Sequence, residues 1–307
     1  MPGSPDQLVS IIMCTYNGSK FVVQQMESLC NQTYSALEII ISDDCSSDGT
    51  FNILQQYAEK DSRIQLFRNE RNVGYIGNFS NACKYASGFF IAISDQDDVW
   101  HAEKISLMMK SWIPGAPLMY CNSVRFTDEV PWEATANKKY RRFKGTDSRK
   151  LAIFNTISGH ASMYTKSFIE SILPFPGKLS YDWYAGVVAA CNGGVGYVDK
   201  ILVFQRVHGS NVTVGGMYDH NVKESRPQFK QLVLNHLQQF AVVPGMPDNQ
   251  KRFYVKLLRL WSEAISKKFS WPLFFFIMQN RKIIYNYKQR KFGLISHIKH
   301  TFRLVGN

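Results

Sequence analysis

The sequence has no long hydrophobic run and no recognisable leader. Its longest apolar stretch, Trp271 to Met278, is far shorter than the about 20 residues that a membrane-spanning helix needs. No basic segment precedes the first apolar run, which begins at Leu8, so we expect no secretory signal peptide. The six cysteines contain no Cys-x-x-Cys pair, and we predict that they are reduced thiols of a cytosolic protein.

Two motifs of nucleotide-binding proteins are missing as well. Neither a P-loop nor the dinucleotide pattern Gly-x-Gly-x-x-Gly occurs in the chain. Their absence argues against a nucleotide hydrolase and against a dehydrogenase.

Negative charge is scarce in one part of the chain. Residues 251–307 contain thirteen lysines and arginines and a single acid, Glu263, so this segment holds the whole net charge of +12. Its basic residues are interleaved with aromatic and aliphatic ones, a composition that suits the anionic face of a membrane. The alternative is a helical extension whose basic face is merely solvated. Nucleic-acid binding is not expected, because no nucleic-acid-binding motif accompanies the segment.

In the first 100 residues, apolar runs alternate with stretches of helical spacing. The runs predicted as strands are 8–13, 37–42, 64–69 and 89–94. This alternation predicts an α/β domain with a largely parallel sheet. Polar clusters at 15–17, 43–48 and 95–98 each follow a strand. We therefore expect all three clusters to line one crevice at the carboxyl ends of the strands.

The third cluster is the most acidic. Ser94–Trp100, SDQDDVW, places three carboxylates within four residues, where they repel one another and raise each other's pKa. Oxygen ligands on a tight turn suit Mg²⁺ or Mn²⁺, and Mg²⁺ in such sites usually also binds substrate phosphates. Asp95 and Asp97 are therefore predicted to hold a divalent cation next to a phosphate-bearing ligand. A solvated acidic turn is the alternative.

Several sequence blocks, taken in order, resemble one enzyme family. They are VSIIMCTYNG (9–18), EIIISDDCSSDGT (38–50), RNVGYIGNFSNA (71–82), FFIAISDQDDVW (89–100), YDWY (181–184) and FQRVHGSNVT (204–213). Together they are similar to the inverting family 2 glycosyltransferases, especially the rhamnosyltransferase-like members that build bacterial surface polysaccharides such as O-antigen or capsule. The resemblance implies a GT-A fold, which is a Rossmann-like, mixed and mostly parallel sheet flanked by helices. Here a basic helical C-terminal extension follows it.

The resemblance also implies roles for particular residues. The residues expected to bind the nucleotide-sugar donor are Thr15, Tyr16, Asn17, Asp44, Asn72, Gly74, Asp95, Gln96, Trp100 and Arg206. The residues expected to hold Mn²⁺ or Mg²⁺ at the donor diphosphate are Asp95, Asp97 and His208. A core role for Trp100 and a surface role for Arg206 are the alternatives, and His160 is a candidate for the acceptor site.

One acid stands apart as the candidate catalytic base. Asp182, in YDWY at the predicted start of a helix, matches the family residue that takes a proton from the acceptor hydroxyl. An aspartate at the start of a helix can also serve only as a cap, which its position supports equally well.

These expectations combine into one predicted organisation. Residues 1–215 form the catalytic domain, with donor binding at about 8–100 and the acceptor half at about 101–215, and residues 216–307 form the extension. The resemblance implies an inverting, metal-dependent transfer of rhamnose from dTDP-rhamnose, or of a hexose or N-acetylhexosamine from a UDP-sugar, to a glycan acceptor on a lipid carrier. The protein is expected in the cytoplasm, on the inner face of the membrane. A nucleotidyltransferase and a non-catalytic glycan- or membrane-binding module are the alternatives.

Overall fold

The chain folds into two compact units that interleave along the sequence. A computed structural model describes residues 7–136, 140–176, 179–209, 226–288 and 293–306. Unit 1 consists of Met1–Ala136, Ser158–Phe175 and Gly196–Asn211, and unit 2 consists of Asn137–Ile157, Pro176–Val195 and Val212–Asn307. This division differs from the single boundary at residue 215 that the sequence predicts.

Unit 1 is built around a mixed β-sheet. Its strands are β1 (Val9–Thr15), β2 (Leu37–Asp43), β3 (Ile64–Arg68), β4 (Phe90–Ser94), β5 (Val99–Trp100), β6 (Leu118–Phe126), β7 (Ser162–Thr165) and β8 (Val195–Arg206). They lie in the order β3-β2-β1-β4-β7-β6-β8-β5. The β3-β2-β1-β4 half is parallel, whereas β7 is antiparallel to β4 and β6, and β5 is antiparallel to β8. The predicted α/β fold with a mixed sheet is confirmed.

The parallel strands end at the same edge of this sheet. β1 and β2 are buried along nearly their whole length, as expected of strands covered on both faces. Thr15 at the end of β1 pairs with Asp43 at the end of β2, and Met13 pairs with Ser94 at the end of β4. The polar turns that follow these three strands are therefore neighbours.

Helices pack against the sheet of unit 1. They are α1 (Val22–Cys30), α2 (Thr50–Lys60), α3 (Gly74–Cys83), α4 (Lys104–Lys110) and α5 (Lys166–Ile172). α1 begins soon after the turn that follows β1, and it buries Val22, Met26 and Leu29, spaced along one helical face. These three side chains join the apolar core of β1 and β2, so the packing of α1 holds the preceding turn in place.

Unit 2 is largely helical. Its helices are α6 (Tyr181–Cys191), α7 (Arg226–Phe240), α8 (Asp248–Ala264), α9 (Trp271–Gln279), α10 (Arg281–Ile284) and α11 (Gly293–Val305). Trp183 of α6 donates a hydrogen bond to the backbone oxygen of Leu151, and the Tyr254 hydroxyl of α8 donates one to that of Ser148. Both acceptors belong to one short 3₁₀ segment, which thus joins α6 to α8. The predicted helical C-terminal region is confirmed, and none of the helices in the described residues is long and apolar enough to span a bilayer.

Candidate functional site

The acidic turn after β4 is the centre of the candidate site. Asp95 and Asp97 are half-buried, whereas Asp98 is 1% exposed. Oδ1 of Asp98 accepts a hydrogen bond from the backbone N–H of Arg206 at 3.3 Å, while its Oδ2 is buried with no hydrogen-bond partner among the described residues. Burial raises the pKa of Asp98 well above its usual value, and the charges of Asp95 and Asp97 raise it further. The turn therefore concentrates negative potential that a cation would offset.

A buried lysine lies beneath this turn. Nζ of Lys104 lies 3.0 Å from the centroid of the Trp100 ring and donates a hydrogen bond to the backbone oxygen of His160 at 3.2 Å. Burial lowers the pKa of Lys104 to about 7, although the neighbouring carboxylates favour its charged form. Trp100 itself is 1% exposed. Of the two roles predicted for Trp100, the structure therefore supports the core role rather than a place on the wall of a donor pocket.

Two of the predicted metal ligands lie in direct contact. Nε2 of His208 is 2.8 Å from Oδ2 of Asp97. The His208 ring stacks on the ring of Phe21, with centroids 4.4 Å apart, and Phe21 lies just before α1. The imidazole is thus held between an acid of the turn and an aromatic ring, which fixes its orientation.

Arg206 supports the acidic turn from β8. Its Nε donates a hydrogen bond to the backbone oxygen of Asp97 at 3.2 Å, and its Nη2 donates to Oε1 of Gln24 on α1. The guanidinium also lies over the rings of Phe21 and Phe126, 5.2 and 4.5 Å from their centroids. Arg206 is buried. The predicted surface role is therefore wrong, and the guanidinium is engaged with the turn and with α1.

The side chains around the turn fit a divalent cation. Ligand atoms of Asp95, Asp98 and His160 all lie within 4.8 Å of one another, next to the Asp97–His208 pair. Carboxylate oxygens suit Mg²⁺ and Mn²⁺, and imidazole nitrogen is a further donor for a transition metal. Oδ2 of Asp98 is buried without a hydrogen-bond partner among the described residues, which costs free energy. A bound cation would offset this cost. The structure thus brings Asp95 together with Asp98 and His160, and it pairs Asp97 with His208.

The turn after β1 is tied to the acidic turn by a side-chain amide. Oε1 of Gln96 accepts a hydrogen bond from the backbone N–H of Tyr16 at 2.9 Å, and its Nε2 donates to the Tyr16 oxygen at 3.1 Å. The Tyr16 ring is 48% exposed. Thr15 instead is buried, and its hydroxyl donates to Asp43 at 3.0 Å. Both residues are predicted to bind the nucleotide-sugar donor. The side chain of Tyr16 points to the solvent, and that of Thr15 points into the protein.

Left-handed backbone conformations occur in two adjacent turns. Asn17, after β1, has φ 47°, and Cys45, after β2, has φ 65°. Oδ1 of Asn17 accepts a hydrogen bond from the backbone N–H of Ser47, and its own N–H donates to Oγ of Ser46, both at 2.9 Å. Non-glycine residues with positive φ cluster at functional sites, because the surrounding structure must hold them there. The two turns are thus locked together.

Asp44 anchors the loop that leads into α3. Its Oδ1 accepts hydrogen bonds from Nδ2 of Asn69 and from the N–H of Val73, and its Oδ2 accepts one from the N–H of Gly74. Gly74 has φ 77°, a conformation that favours glycine, and Oδ1 of Asn72 also accepts from its N–H. The structure therefore brings together Asp44, Asn72 and Gly74, three of the residues expected to bind the donor. It also shows that the Asp44 carboxylate binds this loop.

The two hydrogen bonds between Gln96 and Tyr16 need a glycine at position 18. A Cβ at Gly18 would collide with the Gln96 amide. We expect Gly18→Ala to displace this amide and to lower the free energy of unfolding by about 1 kcal/mol through the broken hydrogen bonds. In a Gln96→Ala background the added methyl has room, so Gly18→Ala should then cost nothing. Urea unfolding of the two single variants and the double variant measures this, and additive losses would contradict the prediction.

Asp182, the predicted base, belongs to unit 2. It lies in the first turn of α6, where a negative charge is favoured by the helix dipole. Its Oδ1 accepts a hydrogen bond from the N–H of Trp183 at 2.7 Å, and the side chain is half-buried. Trp183 is buried and stacks on His236, with centroids 4.2 Å apart. Asp182 is therefore carried by a well-packed helix.

Sequence reasoning missed three residues that shape the site in unit 1. Phe21 supports both His208 and Arg206, Gln24 binds the Arg206 guanidinium, and Lys104 lies under the acidic turn. Phe21 and Gln24 fall in a segment of ordinary helical spacing, so only their long-range contacts reveal them. Lys104 also stands in an ordinary polar sequence, next to Glu103, so its burial under the turn could not be predicted from the local pattern.

The chain is similar to known proteins in its sequence. A family model described as Glycosyl transferase family 2 matches residues 10–173. WfgD of Escherichia coli, named UDP-Glc:alpha-D-GlcNAc-diphosphoundecaprenol beta-1,3-glucosyltransferase, is 45% identical over 111 residues, which cover 34% of this chain and 43% of that protein. The chain spans less than half the length of the first curated relatives that it matches.

Solved structures share its fold. S. aureus TarS 1–349 in complex with UDP-GlcNAc aligns with a TM-score of 0.60 at 15% identity, covering 97% of this chain and 81% of that one. The mannosyltransferase PcManGT from Pyrobaculum calidifontis, in complex with GDP-Man and Mn²⁺, aligns with a TM-score of 0.58 at 15% identity, covering 98% and 87%. At this identity the likeness shows the fold alone, and it confirms the predicted GT-A fold.

Proposed function

The chain belongs to glycosyl transferase family 2, and from this premise we propose that it transfers a sugar from a nucleoside diphosphate donor to a hydroxyl group of a glycan acceptor. One observation carries the proposal beyond family membership. His208, which follows β8, is paired at 2.8 Å with Asp97 of the acidic turn, and this turn is a neighbour of the turns after β1 and β2 at the carboxyl edge of the sheet. This edge is where α/β sheets bind their ligands.

A divalent cation is part of the proposal. Asp95, Asp97 and His208 would hold Mn²⁺ or Mg²⁺, with Asp98 and His160, whose ligand atoms lie within 4.8 Å of that of Asp95, as further donors. Such an ion, when bound, neutralises the charge that develops on a departing nucleoside diphosphate. Arg206 keeps the turn in position through its bond to the Asp97 backbone oxygen.

The nucleotide is assigned to the turns after β1 and β2. The exposed Tyr16 ring offers an aromatic face for the base, and Gln96 fixes the backbone of Tyr16 relative to the acidic turn. Asp44 acts by holding Asn72 and Gly74 next to this region. A UDP-linked hexose or N-acetylhexosamine is favoured over dTDP-rhamnose as the donor, because WfgD is named for UDP-Glc and TarS is described with UDP-GlcNAc.

Asp182 is proposed as the base of a single-displacement reaction. The acceptor oxygen forms a bond to the anomeric carbon while the bond from that carbon to the diphosphate oxygen breaks, which inverts the configuration. The hydroxyl proton of the acceptor passes to the Asp182 carboxylate. Its place on the packed helix α6 limits the freedom of this carboxylate, which favours a defined geometry for proton transfer.

The acceptor is proposed to be a lipid-linked sugar of a bacterial surface glycan. The name of WfgD includes a diphosphoundecaprenol-linked sugar. A substrate of this kind lies at a membrane surface, and the strongly basic segment 251–307 is proposed to bring the protein there.

Thermal unfolding with nucleoside diphosphates tests the donor site. At about 100 times its dissociation constant a ligand stabilises the folded state by about 2.7 kcal/mol, so UDP with Mn²⁺ should raise the melting temperature by about 5 °C. EDTA should abolish the shift, and dTDP and GDP serve as controls for the base. Formation of a glycoside from a UDP-sugar and a lipid-linked acceptor then tests catalysis. No shift with any of the three nucleotides in the presence of Mn²⁺ would contradict the proposal and favour a non-catalytic module.

A further inference from the structure

An exposed aromatic cluster joins two helices of unit 2. The Phe302 ring of α11 lies 4.7 Å from that of Phe274 on α9 and 5.5 Å from that of Phe269, measured between centroids. Trp271 and Phe275, one helical turn apart on α9, stack at 5.8 Å. Phe274 is buried, but Trp271 and Phe275 are 55% and 57% exposed. The outer rings of the cluster therefore face water.

Aliphatic side chains on α11 extend this surface. Leu294 is exposed, Ile295 is 71% exposed, and Phe302 is exposed as well. Leu294 and Phe302 are eight residues apart, so they share one face of the helix. The exposed side chains Trp271, Phe275, Leu294, Ile295 and Phe302 are called the apolar patch below. Apolar patches on the surface of a folded protein mark sites of interaction.

Exposed basic residues lie close in sequence to the residues of the apolar patch. Lys267 and Lys268 lie four and three residues before the start of α9, and Lys299 and Arg303 lie on α11, all of them exposed. Glu263 is the single acid of the segment 251–307, and its carboxylate lies 3.9 Å from Arg259. The cations next to the patch are thus not offset by acids from their own segment.

We propose that the apolar patch inserts into the headgroup region of an anionic lipid bilayer while the four neighbouring cations bind lipid phosphates. Tryptophan with flanking lysine and arginine is the composition of membrane interfaces. Protein–protein interfaces, in contrast, are depleted of lysine, and three of the four cations here are lysines. The inference deepens the proposed function, and it rests on that function only for the reason why a membrane would be the partner.

Vesicle binding of the full chain tests the apolar part of the surface. Sedimentation with vesicles of phosphatidylcholine and phosphatidylglycerol should show that Trp271→Ala/Phe275→Ala lowers the partition coefficient at least about 10-fold, at low and at high salt, because apolar burial is not screened. Trp132→Ala is the matched control, since Trp132 is 58% exposed but belongs to unit 1. It should leave binding unchanged.

The charged part gives a different salt dependence. Lys267→Gln/Lys268→Gln should lower binding about 25-fold at low salt, or about fivefold for each charge, and much less at high salt. Quenching by brominated lipids locates the insertion. It should be lost in Trp271→Phe and retained in Trp132→Phe.

Three outcomes would overturn the inference. They are unchanged partitioning of Trp271→Ala/Phe275→Ala, equal quenching of the wild type and Trp271→Phe, and a wild-type dimer that the aromatic double variant converts to a monomer. The last outcome would indicate that a second copy of the chain, and not a bilayer, binds the apolar patch. The vesicle measurements contain no nucleotide, and the aromatic double variant should keep the UDP-dependent thermal shift. Failure of the membrane inference is therefore distinguishable from failure of the proposed function.

Discussion

Replacing Asp97 with alanine should lower the rate of sugar transfer by about 10²–10³-fold, the loss typical when one preorganised electrostatic contact to a developing charge is removed. Asp97 is the acid whose Oδ2 lies 2.8 Å from His208, and its backbone oxygen accepts the Arg206 hydrogen bond. The substitution leaves that backbone bond in place, so the turn should keep its position while it loses a metal ligand. Initial rates measured over a Mn²⁺ titration would show this loss, and added metal should recover only part of the rate.

Two further variants separate a metal ligand from a merely structural acid. Asp128→Ala removes an exposed acid of unit 1 whose only described hydrogen bond is to its neighbour Thr127, and it should leave the rate unchanged. His208→Ala should impair transfer like Asp97→Ala, and the double variant should lose little more than either single one, because residues that act as a unit are not additive. If the Asp97→Ala enzyme were fully active, Asp97 would not be a ligand of the metal.

The strands of the parallel half of the sheet, and the edge at which their polar turns lie, could be predicted from the sequence for a physical reason. Strands buried on both faces are continuous apolar runs, and the carboxyl ends of parallel strands meet at one edge whatever the details of packing. Asp43, Asp44 and Asp95 were therefore expected at one edge of the sheet, and the pairing of β1 with both β2 and β4 makes their turns neighbours.

The chemical environment of individual side chains could not be predicted in this way. Nothing in a local pattern indicates that Asp44 binds the N–H groups of Val73 and Gly74, or that Arg206 reaches Gln24 across 182 positions of the chain. These contacts depend on the three-dimensional packing of distant segments.

The division into units escaped prediction for the same reason. Two earlier segments, Asn137–Ile157 and Pro176–Val195, belong to unit 2. Long-range hydrogen bonds connect them to its helices, such as those of Ser148 with Gln250 and of Ser180 with His236. Sequence composition marks the basic helical region but not the earlier segments that pack with it.

Replacing Asp182 with asparagine should lower sugar transfer by about 10²–10⁴-fold, the contribution typical of a general base. Asparagine has nearly the same shape, and its Oδ1 can still accept the hydrogen bond from the Trp183 N–H, which is 2.7 Å long in the wild type. It cannot take the proton of the acceptor hydroxyl. We therefore expect the maximal rate to fall, while the UDP-dependent thermal shift, which reports donor binding, stays unchanged.

Asp248→Asn is the matched control for this variant, because Asp248 also stands in the first turn of a helix in unit 2. Both substitutions remove a negative charge from a helix N-terminus, which costs about 0.3–1 kcal/mol of stability. If Asp182 served only as such a charge, the two variants would lose equally little stability and keep their activity. A large loss of transfer in Asp182→Asn alone, with melting temperatures of the two variants alike, assigns the carboxylate to proton transfer, because the helix-terminal effect is then the same in both.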